Sequence, residues 1–314
     1  MILELGAEAL EFGRSSWRAI QAAGGDELVR AVESDPSRRS QLGESVLGPL
    51  GAFDIDPWGS PEELEAAAAL CRSVGYWGVP YPVEARLGRP RGGRFDALVV
   101  VAEAAPAAAG EGLRLRWAAA GLDGVLYSAT PRAGGDQPRR SAFVCPLALE
   151  AVGTAQPLEV ALALVLPCWT LLGMLDRAVA LAGQHVLGRR QFDQPLASFQ
   201  GVQFQLTEAE VERLGVEELA KYALWSLQTG RPEAVDDALA LRLAAIEAAE
   251  TVFRVAHQLH GAIGFCDETP LSWLSRYSVP IRRLPLGASA TRSELTARIG
   301  GRGLTGLYSP PASP

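Results

Sequence analysis

The sequence predicts an α+β protein that is mostly α, with an N-terminal helical region over 1–82, a reduced middle β unit over 83–152 and a C-terminal antiparallel four-helix bundle over 153–302. Three observations carry this order. Apolar residues recur at three-to-four spacing in the first region. Short β-branched or alternating runs, broken by Gly, Pro and Arg, fill the second, and long helical periodicities occupy the third. Residues 303–314 read as a flexible tail. No internal repeat is seen, and 314 residues suffice for two or three compact units around a sizeable core.

Each element has its own local reason. "ELVRAVES" and "SPEELEAAAALCRSVG" carry helical apolar spacing, and Ser60 with Glu63 makes a capping box at the start of the second. "FDALVVVAEA", "LRLRWAAA", "GVLYSATP" and "SAFVCPLAL" predict four or five short strands, separated by the turns "RLGRPRGGR" and "RAGGDQPRR". In the third region, "PEAVDDALALRLAAIEAAETVFRVAHQLHG" places Leu239, Leu243, Ile246, Val252, Val255 and Leu259 at helical spacing. Gly230 is expected to end the preceding helix, and Pro232 to sit in a first turn, where its missing N–H costs nothing. No amphipathic helix buries its own stripe, so several joined by short loops imply a bundle.

Charge and cysteine usage narrow the function classes. The net charge is −7, which disfavours a general nucleic-acid role that depends on excess positive charge. Cys71, Cys145, Cys168 and Cys266 are far apart with no CxxC pair, and no secretory leader is read at "MILELGAEAL". They are expected to be reduced core thiols of a cytoplasmic protein. "VALALVLPCWTLLGML", 160–175, is almost wholly apolar, but it is shorter than a span, contains Pro167 and is flanked by Glu159 and Asp176. It reads as a buried bundle helix, with no membrane implied.

The stretch "RRQFDQPLASFQ", 189–200, puts a charged corner between apolar runs. If the helix continues through "GRRQF", Arg189 and Phe192 project from one face. A guanidinium suits phosphate oxygens and a phenyl ring offers a flat wall for a base, so the pair suits a pyrophosphate-bearing cofactor. A solvated arginine beside a core aromatic is the bland alternative. "HQLHGAIGF", 257–265, places Gln258 and Gly261 at a helix end, followed by small residues that permit close approach.

Together with "RRQFDQPLASFQGVQFQL" and "ETPLSWLSRYSVPIRRLPLG", in which Pro270 and Arg276 are correctly spaced, these motifs resemble the C-terminal half of the acyl-CoA dehydrogenase family over 155–302. The resemblance implies an acyl-CoA dehydrogenase-like fold and FAD as cofactor. It also implies that Arg189, Gln191, Phe192, Gln258, Gly261 and Ala262 hold the ADP half of an FAD whose ring lies in a neighbouring subunit. Ala262 stands where the family's second glycine would be.

Two departures from the family follow. Its catalytic carboxylate commonly precedes a Gly-Thr pair, whereas "RRLPLGASA" offers Pro285 and Leu286 before Gly287. Neither can take a proton. The alternative register on the first bundle helix lands near Ala163, with Leu164 where an arginine would meet CoA; Glu159 lies one turn away and Glu294 is expected to face solvent. The family's Trp-x-Ser/Thr strand is also missing, because Trp117 is followed by "AAA". No catalytic residue is therefore assigned.

Retaining the ADP clamp without the base resembles the short subunit of heteromeric, α2β2 bacterial acyl-CoA dehydrogenases that act on steroid-derived CoA thioesters. The implied partner is a longer paralogue that carries the base and most of the acyl-CoA site; the steroid link is analogy alone. The alternative is a non-catalytic scaffold or regulatory homologue that binds neither flavin nor thioester.

Other signals are weaker. His257 and His260, with Asp267 and Glu268 nearby, lack a third metal ligand at convincing spacing, so no metal is expected. His260 stands just before the clamp's small residues, as a cofactor neighbour or a structural helix-end histidine. Trp169, Trp225 and Trp273 read as core or interface anchors, and Arg282 and Arg283 as a solvated basic pair unless they meet CoA phosphates or partner acids.

Overall fold

The computed structural model describes residues 4–132 and 143–303. The predicted turn "RAGGDQPRR" beyond Arg132 and the predicted tail beyond Gly303 lie outside them.

The N-terminal region folds into helices α1 (Ala7–Ala22), α2 (Asp26–Ser34), α3 (Arg39–Leu42), α4 (Pro61–Trp77) and α5 (Val83–Leu87). Helix α4 starts where its sequence dictates. Ser60 Oγ accepts the Glu63 N–H at 3.2 Å, Pro61 occupies the first turn, and Gly78 at φ 61° closes the other end. Arg39 ties this layer to the strands: its buried guanidinium donates to the carbonyls of Pro80 (2.8 Å), Ala109 (2.9 Å) and Glu111.

Five strands form the middle sheet: β1 (Ala97–Val100), β2 (Ala107–Ala108), β3 (Trp117–Ala120), β4 (Val125–Pro131) and β5 (Cys145–Thr154), in the order β1-β3-β4-β5-β2. Only the β1–β3 pair is parallel, in register Ala97 to Trp117; the other pairs are antiparallel. The alanine run after Trp117 is wholly buried between the neighbouring strands β1 and β4.

The bundle begins with α6 (Pro157–Gly188), about 48 Å long at the usual helical rise. It is long and apolar enough to cross a membrane by length and composition, yet 89% of its most apolar window is buried within the protein. It is the spine of the fold. Helices α7 (Gln200–Gln228) and α8 (Ala234–His260) pack against it, α9 (Pro270–Arg283) closes against α6 and α8, and α10 (Ala288–Arg302) lies along α8. Gly230, at φ 61°, closes α7 in a Schellman turn, with Arg231 N–H on Ser226 O and Gly230 N–H on Leu227 O. Pro232 does not enter the first turn of α8. The helix starts two residues later, because residues 231–233 are spent on that capping turn.

Where α4 crosses α6, the two backbones touch. A Cβ at Gly75 would collide with the Thr170 carbonyl oxygen, and one at Gly173 with that of Arg72. Beside this contact, Arg72 pairs with Asp176 (2.6 Å) on α6 and Glu217 (2.9 Å) on α7, while Arg213 bridges the same two carboxylates at 2.9 and 2.8 Å. Burial opposes the charge on Glu217, but Arg72 and Arg213 hold its carboxyl down to about 2.

The crossing gives a direct test. Gly173→Ala should lower stability by at least about 2 kcal/mol through overpacking, whereas Gly183→Ala on the same helix, with open space around it, should be neutral or slightly stabilising. Urea unfolding midpoints of the two variants check this.

Candidate functional site

The C-terminal ends of α6 and α8 lie side by side, as the stacking of His185 on His260 at 4.5 Å between ring centroids shows. This juxtaposition brings the two motif stretches to one corner. The expectation that α6 continues through "GRRQF" is overturned. The helix stops at Gly188 and Arg189 turns extended (φ −80°, ψ 124°). The chain then forms a tight hairpin, β6 (Arg190–Gln191) with β7 (Gln194–Pro195). Phe192 and Asp193 occupy its turn at φ 51° and 60°, the left-handed pair that a two-residue hairpin requires. Leu196 N–H donates to Arg189 O at 2.8 Å, and Arg190 donates to the Asp193 carbonyl, so the hairpin satisfies backbone groups that helix continuation would otherwise have used. Arg189 and Phe192 therefore share a corner, not a helical face.

All six sequence-derived clamp residues are exposed there: Arg189, Gln191, Phe192, Gln258, Gly261 and Ala262. Phe192 is 86% exposed, and Ile263 and Phe265 nearby in the chain are also exposed. Gly261, at φ 65°, lets the chain turn from α8 into a short 3-10 helix at Gly261–Phe265. Among the described residues, the side chains of Arg189, Gln191 and Gln258 form no hydrogen bond or ion pair, so their donors face outward. Such a donor set beside an exposed ring suits the phosphates and base of an adenine dinucleotide.

The chain's three histidines gather at this corner. His257 stacks on Phe265 at 4.3 Å, and His260 Nδ1 lies 2.8 Å from Ala256 O. Burial holds His185 below the ordinary histidine range, helped by His260 and then Arg189; burial and His260 lower His257 as well. Among the described residues, no group of three His, Cys, Asp or Glu is arranged for a metal.

A second concave site lies between the layers. A cleft of about 80 Å³ is enclosed by α5, strands β1 to β3, α6, α8 and the α9–α10 junction. Both places where the resemblance would put a base reach its wall. Ala163, with Leu164 at the expected CoA-arginine position, stands on the α6 side, and Pro285, beside Leu284, at the junction. No carboxylate comes from either. Glu159, the shifted-register candidate, is instead engaged in structure: its Oε2 accepts the Gln156 N–H at 3.1 Å and its Oε1 the Arg91 N–H at 3.2 Å. Glu294 does not face solvent freely; it is half-buried with Arg298 at 3.6 Å, because α10 lies along α8.

The acid that does line the cleft is Glu84 of α5, which sequence reading passed over. Burial pushes its carboxyl up to about 7, with Thr170 Oγ1 at 3.5 Å. Its chain neighbours, "PVEARLG", carry no motif; only the tertiary meeting of α5 with α6 reveals it. An isoalloxazine is too large for this cleft, which falls well under the ~300–1,000 Å³ of ordinary cofactor sites. The corner thus fits the nucleotide half of an FAD, and the cleft does not fit its ring.

Other expectations separate here. Cys71, Cys145 and Cys168 are buried, but Cys266 is exposed because it follows the outward-facing turn after α8. Trp169 and Trp273 are core, while Trp225 is half-buried under Arg231. Arg282 packs over the Phe253 ring with its Nε on Ser278 Oγ, and Arg283 is exposed.

Comparison with known proteins adds an independent view. Residues 165–300 match the family "Acyl-CoA dehydrogenase, C-terminal domain". The acryloyl-CoA reductase (NADH) of Anaerotignum propionicum is 28% identical over 127 residues, 40% of this chain and 32% of that protein. Acyl-CoA dehydrogenase FadE28 of Mycobacterium tuberculosis is 31% identical over 125 residues, 39% of this chain and 36% of that protein. The chain thus spans about a third of the length of these curated relatives. Among solved structures, a variant of the Tcur3481-Tcur3483 steroid ACAD superposes with TM-score 0.78 at 20% identity, covering 96% of this chain and 100% of that one. The ChsE4-ChsE5 complex of M. tuberculosis gives TM-score 0.74 at 17% identity, covering 97% and 100%. At such identities the likeness shows a shared fold.

Glu84 carries a pH prediction. Its folded-state value lies above the ordinary 4.5, so the folded protein keeps a proton that the unfolded chain releases. The associated stability is present below about pH 4.5 and is lost as pH rises through about 7. Glu84→Gln should match the parent near pH 4 and exceed it near pH 8 by up to about 3 kcal/mol, measured by chemical unfolding at both pH values.

Proposed function

We propose that this chain, whose residues 165–300 match the acyl-CoA dehydrogenase C-terminal domain, is one subunit of an FAD-dependent acyl-CoA dehydrogenase. In this reading it supplies the clamp for the ADP half of the cofactor across a subunit interface. A longer paralogue in a heterodimer or α2β2 heterotetramer contributes the catalytic base and most of the acyl-CoA site. FAD, when bound, is the hydride acceptor in α,β-dehydrogenation of a CoA thioester.

One observation carries the reading: the outward-facing, unpartnered donors of Arg189, Gln191 and Gln258 are gathered beside Phe192, at the end of a rigid bundle. Arg189 can form a bidentate pair with a phosphate, Phe192 can cover a base, and Gly261 with Ala262 leaves room for close backbone approach. The family's two base positions hold Ala163 in one register and Pro285 and Leu286 in the other, so proton removal falls to another chain. Steroid-derived thioesters are the proposed substrate class, from the printed description of one structural neighbour as a steroid ACAD. The assembly is proposed to be cytoplasmic. A scaffold that binds neither flavin nor thioester would have no use for that cluster of unpaired donors.

Co-expression with the product of the adjacent gene is the test. A yellow complex with about one FAD per two chains should dehydrogenate a CoA thioester, and Arg189→Ala should weaken FAD binding about 10- to 100-fold, the usual worth of a charged hydrogen bond. Full FAD retention in Arg189→Ala, or stoichiometric flavin bound by this chain alone, would overturn the division of labour.

A further inference from the structure

The inter-layer cleft contains a charge that no described residue neutralises. Arg242 of α8 lines it and is 2% exposed. Its Nη2 donates to the Leu286 carbonyl at 2.8 Å, its Nε has no acceptor, and no carboxylate pairs with it among the described residues. Glu84 lines the same cleft without forming an ion pair to Arg242. Trp117, 1% exposed, lines it too, and its indole N–H has no acceptor. The remaining wall is apolar, with Leu98, Leu164, Pro167 and Ile281 among its members.

A guanidinium is never discharged under ordinary conditions, so a buried one without a counter-charge is costly to the fold. The cheapest remedy is a bound anion. The cleft restricts which anion. Its volume of about 80 Å³ admits only a few non-hydrogen atoms, a single cation balances a single negative charge, and the apolar walls favour a hydrocarbon tail. Inorganic phosphate or sulfate would bring two charges and no apolar surface, and so suits it poorly.

We infer that this cleft binds a short-chain monocarboxylate, with the carboxylate held by Arg242 and the alkyl part packed against Leu98, Leu164 and Ile281. The site is independent of the flavin clamp: it lies within the core of this chain, and the clamp lies on the exposed corner.

Isothermal titration of the full chain, alone and within the co-purified complex, with butyrate, butyramide and butyryl-CoA tests this. Butyrate is expected to bind at least about tenfold more tightly than its uncharged isostere butyramide, as a charge-assisted contact requires. Arg242→Met should abolish that preference, and butyrate should raise the melting temperature of the parent but not of the variant. Equal binding of butyrate and butyramide by the parent would overturn the inference without any variant being needed. So would binding of butyryl-CoA with none of butyrate, or no detectable butyrate binding at millimolar concentration. None of these outcomes bears on FAD retention, so this inference and the proposed flavin role fail separately.

Discussion

The contact on which the rest of the structure depends is the crossing of α4 over α6, where Gly75 and Gly173 let two helix backbones meet without side chains between them. Its geometry leaves little freedom. The carbonyls of Thr170 and Arg72 occupy the space that a methyl group would need, and the four-member ion network of Arg72, Asp176, Arg213 and Glu217 locks α7 onto the same point. Close-packed interiors are not continuously deformable, so a crossing this tight sets the register of α6 for its whole length. That register places both candidate sites. Ala163, Leu164 and Pro167, before the crossing, form one wall of the cleft, and Arg189, after it, opens the proposed clamp.

The two ends have opposite character, and this contrast is what the proposed division of labour rests on. At the N-terminal end the wall positions that could carry a base are apolar, and the space between layers is small. At the C-terminal end, the polar side chains of Arg189, Gln191 and Gln258 face outward without a hydrogen-bond partner among the described residues, beside exposed aromatic rings. Polar side chains that are left unpaired at the end of a rigid element, beside an exposed ring, are arranged for contact with something outside the chain. A chain with its own complete flavin pocket would show the reverse: a roomy interior and an occupied surface.

Much of this was legible in the sequence because it rests on local periodicity. The strand segments, the Ser60 cap, the Gly230 turn and the buried helix at 160–175 all follow from spacing and from special residues. What was not legible depends on contacts between distant segments. Extrapolating the period of α6 beyond Gly188 missed the hairpin, because the backbone bond from Leu196 to Arg189 and the left-handed turn at Phe192–Asp193 carry no apolar rhythm. Glu84 and Arg242 lie 158 positions apart in the chain, and neither sits in a recognisable motif. Only the packing of α5, α6 and α8 around one cavity makes them a site. Cys266 was misjudged for a related reason: composition says that cysteines favour interiors, but the turn after α8 faces outward.

The hairpin also bears on what the clamp is for. Phe192 and Asp193 both adopt left-handed backbone, which costs a non-glycine residue of order 1 kcal/mol each, and an Asn-Gly pair there would avoid most of it. The chain accepts that cost and in return holds a phenyl ring 86% exposed, with only an edge contact to Phe199 at 6.3 Å. The hairpin's hydrogen bonds satisfy the backbone, but among the described residues the Phe192 ring itself gains little. Burying such a ring against a flat partner yields about 2 kcal/mol, comparable to the strain of the turn. Covering Phe192 would thus offset the strain of the turn, and the guanidinium of Arg189 beside it suits the anionic, planar-ended molecule of the proposed function.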